Sequence, residues 1–107
     1  MITITPVIIQ EMVDRIVRDF DPVKVILFGS QARGEGNRDS DVDLLVVLDE
    51  IDDKAEAEVS IRVALAGMGV PKDVIAATPE ECARWSAVVG NVLFWALRDG
   101  IVMYDRR

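Results

Sequence analysis

Two short polar clusters can carry chemistry in a chain that has no histidine and one cysteine. The first is Gly29-Ser30; the second, ten residues on, is Asp41-Val42-Asp43. On an extended strand, side chains two apart point to the same side, so Asp41 and Asp43 can present both carboxylates to one point. Hard divalent cations take such oxygen ligands, and magnesium is commonly held by one or two carboxylates together with substrate phosphates. Gly29 lacks a Cβ and lets the backbone approach a ligand closely. Ser30 opens a strand-to-turn junction whose amides and hydroxyl can hold a phosphate. Taken singly, Gly-Ser, Asp-x-Asp or Ser40-Asp41 is ordinary turn chemistry. Their joint occurrence at this spacing, between two apolar strands, reads as a phosphate cradle beside a metal site.

The flanking elements must bring these clusters together. Lys24-Val25-Ile26-Leu27-Phe28 is a short apolar run ending at Gly29, and Leu44 to Leu48 is a second; both have the character of interior strands. Residues 31–40 are polar and rich in turn formers, with room for one helical turn near Gln31 to Arg33. A connection that short implies antiparallel strands, with Gly29 and Asp43 at the same end.

Ahead of them, Ile8, Ile9, Met12, Val13, Ile16, Val17 and Phe20 recur at helical spacing after Thr5-Pro6, and Asp21-Pro22 closes the helix. After the acidic stretch Asp49 to Asp53, which reads as a solvated loop, a helix runs to about Ala66. It has Ala55, Val59, Val63 and Ala66 aligned on one face and stops at Gly67 and Gly69. Lys72 to Ala77 is a third strand, Thr78-Pro79-Glu80-Glu81 has the form of a capping box, and a helix from Val92 to Arg98 precedes a closing strand, Ile101 to Tyr104.

These elements imply an α/β (α+β) fold with a small mixed sheet of about four strands flanked by helices, in one domain over residues 1–107. Asp73 opens the third strand. If that strand runs parallel to the second, Asp73 joins the other two acids; otherwise it is a charged strand end. Cys82, Trp85, Phe94, Trp95 and Tyr104 read as core or interface residues.

The string Gly29-Ser30-Gln31-Ala32-Arg33-Gly34 with Ser40-Asp41-Val42-Asp43-Leu44 resembles the signature of the DNA polymerase β-like nucleotidyltransferase superfamily, and within it the minimal nucleotidyltransferase (MNT) branch. The order of elements from Pro6 to Tyr104 is similar too. The resemblance implies that Asp41 and Asp43 hold two Mg2+ ions bridging the triphosphate of ATP, with Asp73 as third acid, sharing a metal and helping to deprotonate the attacking hydroxyl. Gly29 and Ser30 would bind the outer phosphates, with Arg33 and Ser40 counted among the nucleotide-binding residues. Many MNT proteins resemble antitoxins whose partner is a separate HEPN-domain ribonuclease toxin. The resemblance therefore implies transfer of AMP to a hydroxyl of that partner, a tyrosine for preference, and a hetero-oligomer. Two alternatives remain at this level: an MNT domain that silences its partner by binding alone, and a transferase acting on a small hydroxylated molecule.

Bulk properties narrow the field. A net charge of −7 with scattered Lys and Arg argues against general nucleic-acid binding. No apolar run approaches the length of a bilayer span, and charges interrupt the apolar residues near the N-terminus, so no membrane role and a cytoplasmic location are expected.

Overall fold

A computed structural model describes residues 4–34 and 41–106. The chain order is α1 (Pro6–Phe20), β1 (Lys24–Phe28), α2 (Gly29–Ala32), β2 (Val42–Val47), α3 (Lys54–Ala64), β3 (Lys72–Ala77), α4 (Pro79–Trp85), α5 (Val92–Asp99) and β4 (Ile101–Asp105). The four strands form one sheet in the order β3-β2-β1-β4. β1 is antiparallel to both β2 and β4, and β2 is parallel to β3. This is the mixed sheet flanked by helices that the sequence implies. Among the described residues no helix is long and apolar enough to cross a membrane.

Local signals explain where the elements start. Thr5 Oγ1 accepts the amide of Ile8 at 3.3 Å, Pro6 takes the first helical position, and Asp21 ends α1 in a left-handed conformation with φ 45°. At α4, Thr78 and Glu81 form the expected reciprocal capping box.

Alternation along the strands sends side chains to two cores. On one side of the sheet Ile9, Met12, Val13 and Ile16 of α1 and Ile61 of α3 meet Val25, Leu27, Leu44, Val46 and Val74. On the other, Leu93 and Ala96 of α5 meet Ile26, Leu45, Val47 and Ala77, with Phe28, Cys82 and Trp85 packed around them. Cys82 is half-buried, and burial pushes its thiol up, which suits the role of a small hydrophobe.

The structure sets the orientation of α3, which the spacing alone left open. The face that carries Ala55, Val59, Val63 and Ala66 turns outward, with Val59 54% and Val63 67% exposed. Ile61 and the neighbouring Leu65 go inward instead. The larger aliphatic side chains claim the core, and Glu58 fixes the rotation: its Oε2 accepts the amide of Ala76 at 2.9 Å. That amide lies on edge strand β3, and a bonded carboxylate blunts an edge that would otherwise present open donors.

Candidate active site

β1 ends at Phe28, and the chain turns at Gly29 with φ +76°, a left-handed conformation that costs any residue with a Cβ. Ser30 and Gln31 continue the single turn α2, closed by the Arg33 amide donating to the Gly29 carbonyl at 3.2 Å. The opening amides of a helical turn have no acceptor within it, so this junction offers donors to an anion.

Register places the acids. Phe28 pairs with Asp43 across the antiparallel β1–β2 ladder, and Asp43 pairs with Asp73 across the parallel β2–β3 ladder. Asp43 therefore sits beside the Gly29 turn and level with Asp73, both side chains on the sheet face that carries Leu45 and Ile75. The Val42 amide donates to the Pro71 carbonyl at 2.9 Å, which ties the start of β2 to the approach of β3 and holds this register. Strand β2 starts two residues earlier than the apolar run suggests, so Asp43 lies inside the ladder and Asp41 just before it.

The local field at Asp43 is negative. Burial, then the negative charges of Asp73 and Asp41, hold the Asp43 carboxyl above its ordinary value, and the Arg33 guanidinium pulls it the other way. Asp41 and Asp73 are exposed and Asp43 is half-buried. Among the described residues, no three acids stand close enough to enclose an ion by themselves. Asp43 and Asp73 are cross-strand neighbours and Asp41 lies two residues before Asp43, but the three do not close into the tight cluster expected from the sequence. Such a donor set fits magnesium, which accepts one or two carboxylates and completes its shell with phosphate oxygens and water.

Gly29 is held to its identity by this geometry. A Cβ added there would overlap Asp43 Oδ2 and lie 3.1 Å from its Cγ. The turn and the carboxylate are in contact. Arg33 is exposed, and its charge reaches Asp43. Ser40 lies outside the described residues. What the sequence reading lacked was the carbonyl of Pro71, a backbone group with no side-chain signature that could have revealed it.

A family model described as nucleotidyltransferase domain matches residues 9–97, from α1 through most of α5. The chain belongs to that family. Gly29, Ser30, Asp41, Asp43 and Asp73 all fall within the matched stretch of this nucleotidyltransferase domain. Its fold is similar to a protein from Sulfolobus solfataricus described as a nucleotidyltransferase, with a TM-score of 0.64 and 22% identity over 92% of this chain and 78% of that one. It is also similar to a toxin-antitoxin structure with AMP-PNP, with a TM-score of 0.55 and 19% identity over 92% of this chain and 74% of that one. No curated protein sequence matches the nucleotidyltransferase domain at a significant level.

Proposed function

We propose that this nucleotidyltransferase domain is a minimal nucleotidyltransferase that transfers AMP from ATP to a hydroxyl, a tyrosine for preference, of a separate HEPN-domain toxin, and so acts as its antitoxin. The observation that carries the transfer reaction is the pairing of Asp43 with Asp73 on adjacent parallel strands, next to the Gly29 turn. The similarity to a toxin-antitoxin structure with AMP-PNP, a nonhydrolysable relative of ATP, supports the nucleotide and the class of partner.

In this reading Asp41, Asp43 and Asp73 would hold two Mg2+ ions, which when bound would supply Lewis-acid stabilisation of the negative charge on the phosphates. The Gly29 and Ser30 amides and the Ser30 hydroxyl fix the outer phosphates. Arg33 adds positive charge where the triphosphate would crowd the carboxylates. Asp73, exposed and shared between the acids and solvent, accepts the proton of the attacking hydroxyl as the new phosphoester bond forms and pyrophosphate leaves. Cytoplasmic location belongs to the same reading, since ATP is drawn from that pool.

The test is incubation of the domain with Mg2+, ATP labelled at the α-phosphorus and the protein encoded by the neighbouring gene. Label should appear on that protein, at a hydroxylated residue, and vanish in the Asp41→Asn, Asp43→Asn double variant. A double variant that still silences the toxin without labelling it would assign neutralisation to binding alone. Label on a small acceptor with no protein present would move the activity to small molecules.

A further inference from the structure

Gly100 is the residue between α5 and β4, and a side chain there would have no room. An added Cβ would overlap the Ala96 carbonyl oxygen and Ile26 Cγ2 and lie 3.1 Å from the Leu27 carbonyl oxygen. Two of these three atoms are backbone, so no change of rotamer clears them. The conformation of Gly100 is ordinary, with φ −76°. Glycine is required here by close approach and not by an unusual turn.

The neighbours of Gly100 lead to the active site. Ile101 pairs with Leu27, the β1–β4 pair nearest the end of β1, and Phe28 beyond it pairs with Asp43 of β2. Ile26 belongs to the core that α5 makes with the sheet, and Phe28 packs against that core. The end of β1 is thus gripped by β4 on one side and β2 on the other, directly before the Gly29 turn. Nor is β4 free to slide aside. At its far end the Arg106 amide donates to the Val23 carbonyl at 3.0 Å, and the Arg106 guanidinium donates to both Asp49 carboxylate oxygens at 2.9 Å. At the near end the buried Leu93 and Ala96 lock α5 to the sheet. A methyl group at position 100 therefore opens the Leu27–Ile101 pair and the packing beneath Phe28.

We infer that Gly100 is a positioning residue for the nucleotide: its close approach lets β4 pair up to Leu27 and so holds the Gly29 turn in place against Asp43. Gly100 touches no substrate in this account and acts through Leu27 and Phe28. The inference rests on the reading of the Gly29 turn as the triphosphate cradle.

The experiment titrates AMP-PNP with Mg2+ into the full chain by calorimetry and follows the amide resonances of Gly29, Ser30 and Asp43. Gly100→Ala should weaken AMP-PNP by roughly fivefold or more, because a misplaced cradle loses contacts out of proportion to the displacement. It should move those three resonances in the unliganded protein and, in transfer assays, raise KM for ATP more than it lowers kcat. Thr78→Ala, a destabilising change on α4, should do none of these. Should Gly100→Ala fail to fold, Ile101→Gly decides: Ile101 is exposed on the sheet edge, and its loss loosens the same pair without adding an atom. That variant should weaken AMP-PNP by roughly twofold or more and move the same resonances. Folded variants that bind AMP-PNP as wild type does, or resonances that move only within α5 and β4, would overturn this role alone. A wild-type domain that binds no AMP-PNP would overturn the nucleotide reading and this role with it.

Discussion

The carboxylate of Asp43 occupies the space into which any side chain on Gly29 would project. The strand-end turn and the acid of β2 are therefore one structural unit, and a single methyl group tests it. Gly29→Ala places a Cβ at φ +76° and against Asp43. The left-handed conformation alone costs about 1–2 kcal/mol. Equilibrium denaturation should show at least that loss. Nucleotidyl transfer should fall by more than the loss of folded protein accounts for, because Asp43 has to move. Wild-type stability and activity in Gly29→Ala would mean that the contact is dispensable.

The second prediction concerns pH. Asp43 has a raised carboxyl pKa, from burial first and then from Asp73 and Asp41. A carboxyl whose pKa is higher folded than unfolded binds its proton more tightly in the folded state. It favours folding at low pH, and that contribution is lost as pH rises from the ordinary aspartate value through the raised one. Without divalent cations, Asp43→Asn should therefore melt higher than wild type at neutral pH, and the gap should close below the aspartate range. Added Mg2+ should narrow the gap at neutral pH by stabilising the wild type alone. Melting curves across pH, with and without Mg2+, decide this; an Asn variant that melts lower at neutral pH in the absence of metal contradicts it.

Much of this geometry is legible in the residues. The apolar runs before Gly29 and after Asp43, joined by a turn-rich decade, dictate an antiparallel pair, and the capping residues Thr5 and Thr78 mark their helices without ambiguity. The parallel approach of β3, which decides between the two readings of Asp73, is a long-range pairing that follows from the turn of α3 across the sheet. No local pattern encodes it. Helix α3 shows why. Its valines and alanines make as regular a stripe as its buried face does, and the choice between them is made by the bulk of Ile61 and Leu65 and by the hydrogen bond that Glu58 accepts from the Ala76 amide, eighteen residues away.

That bond gives the third prediction. Glu58→Ala removes the acceptor of the Ala76 amide and should cost about 1.5–3 kcal/mol, the range for hydrogen bonds to charged groups. Glu58→Gln, which keeps a carbonyl oxygen, should cost less. Hydrogen exchange at Ala76 should accelerate in the Ala variant before exchange in β1 and β2 does, since only the edge is opened. Unchanged protection at Ala76 would remove Glu58 as the group that sets the rotation of α3.

Thr78 supplies a control remote from the chemistry. Its hydroxyl accepts the Glu81 amide at 3.2 Å, and Glu81 returns a bond to the Thr78 amide at 3.1 Å. Thr78→Ala should destabilise the domain by about 1 kcal/mol, read from denaturant midpoints, with transfer per folded molecule preserved. A specific loss of activity would place α4 closer to catalysis than its position after the far end of β3 suggests.

The central claim is that the Gly29 turn and the acids of β2 and β3 form one metal–nucleotide site. Paramagnetic broadening of amide resonances by Mn2+ in the presence of ATP tests it most directly. Broadening should centre on residues 29–30, 41–44 and 72–74, and should disappear from that region in Asp43→Asn. Broadening centred instead on the acidic stretch at residues 49–56, or unchanged by that substitution, would contradict it.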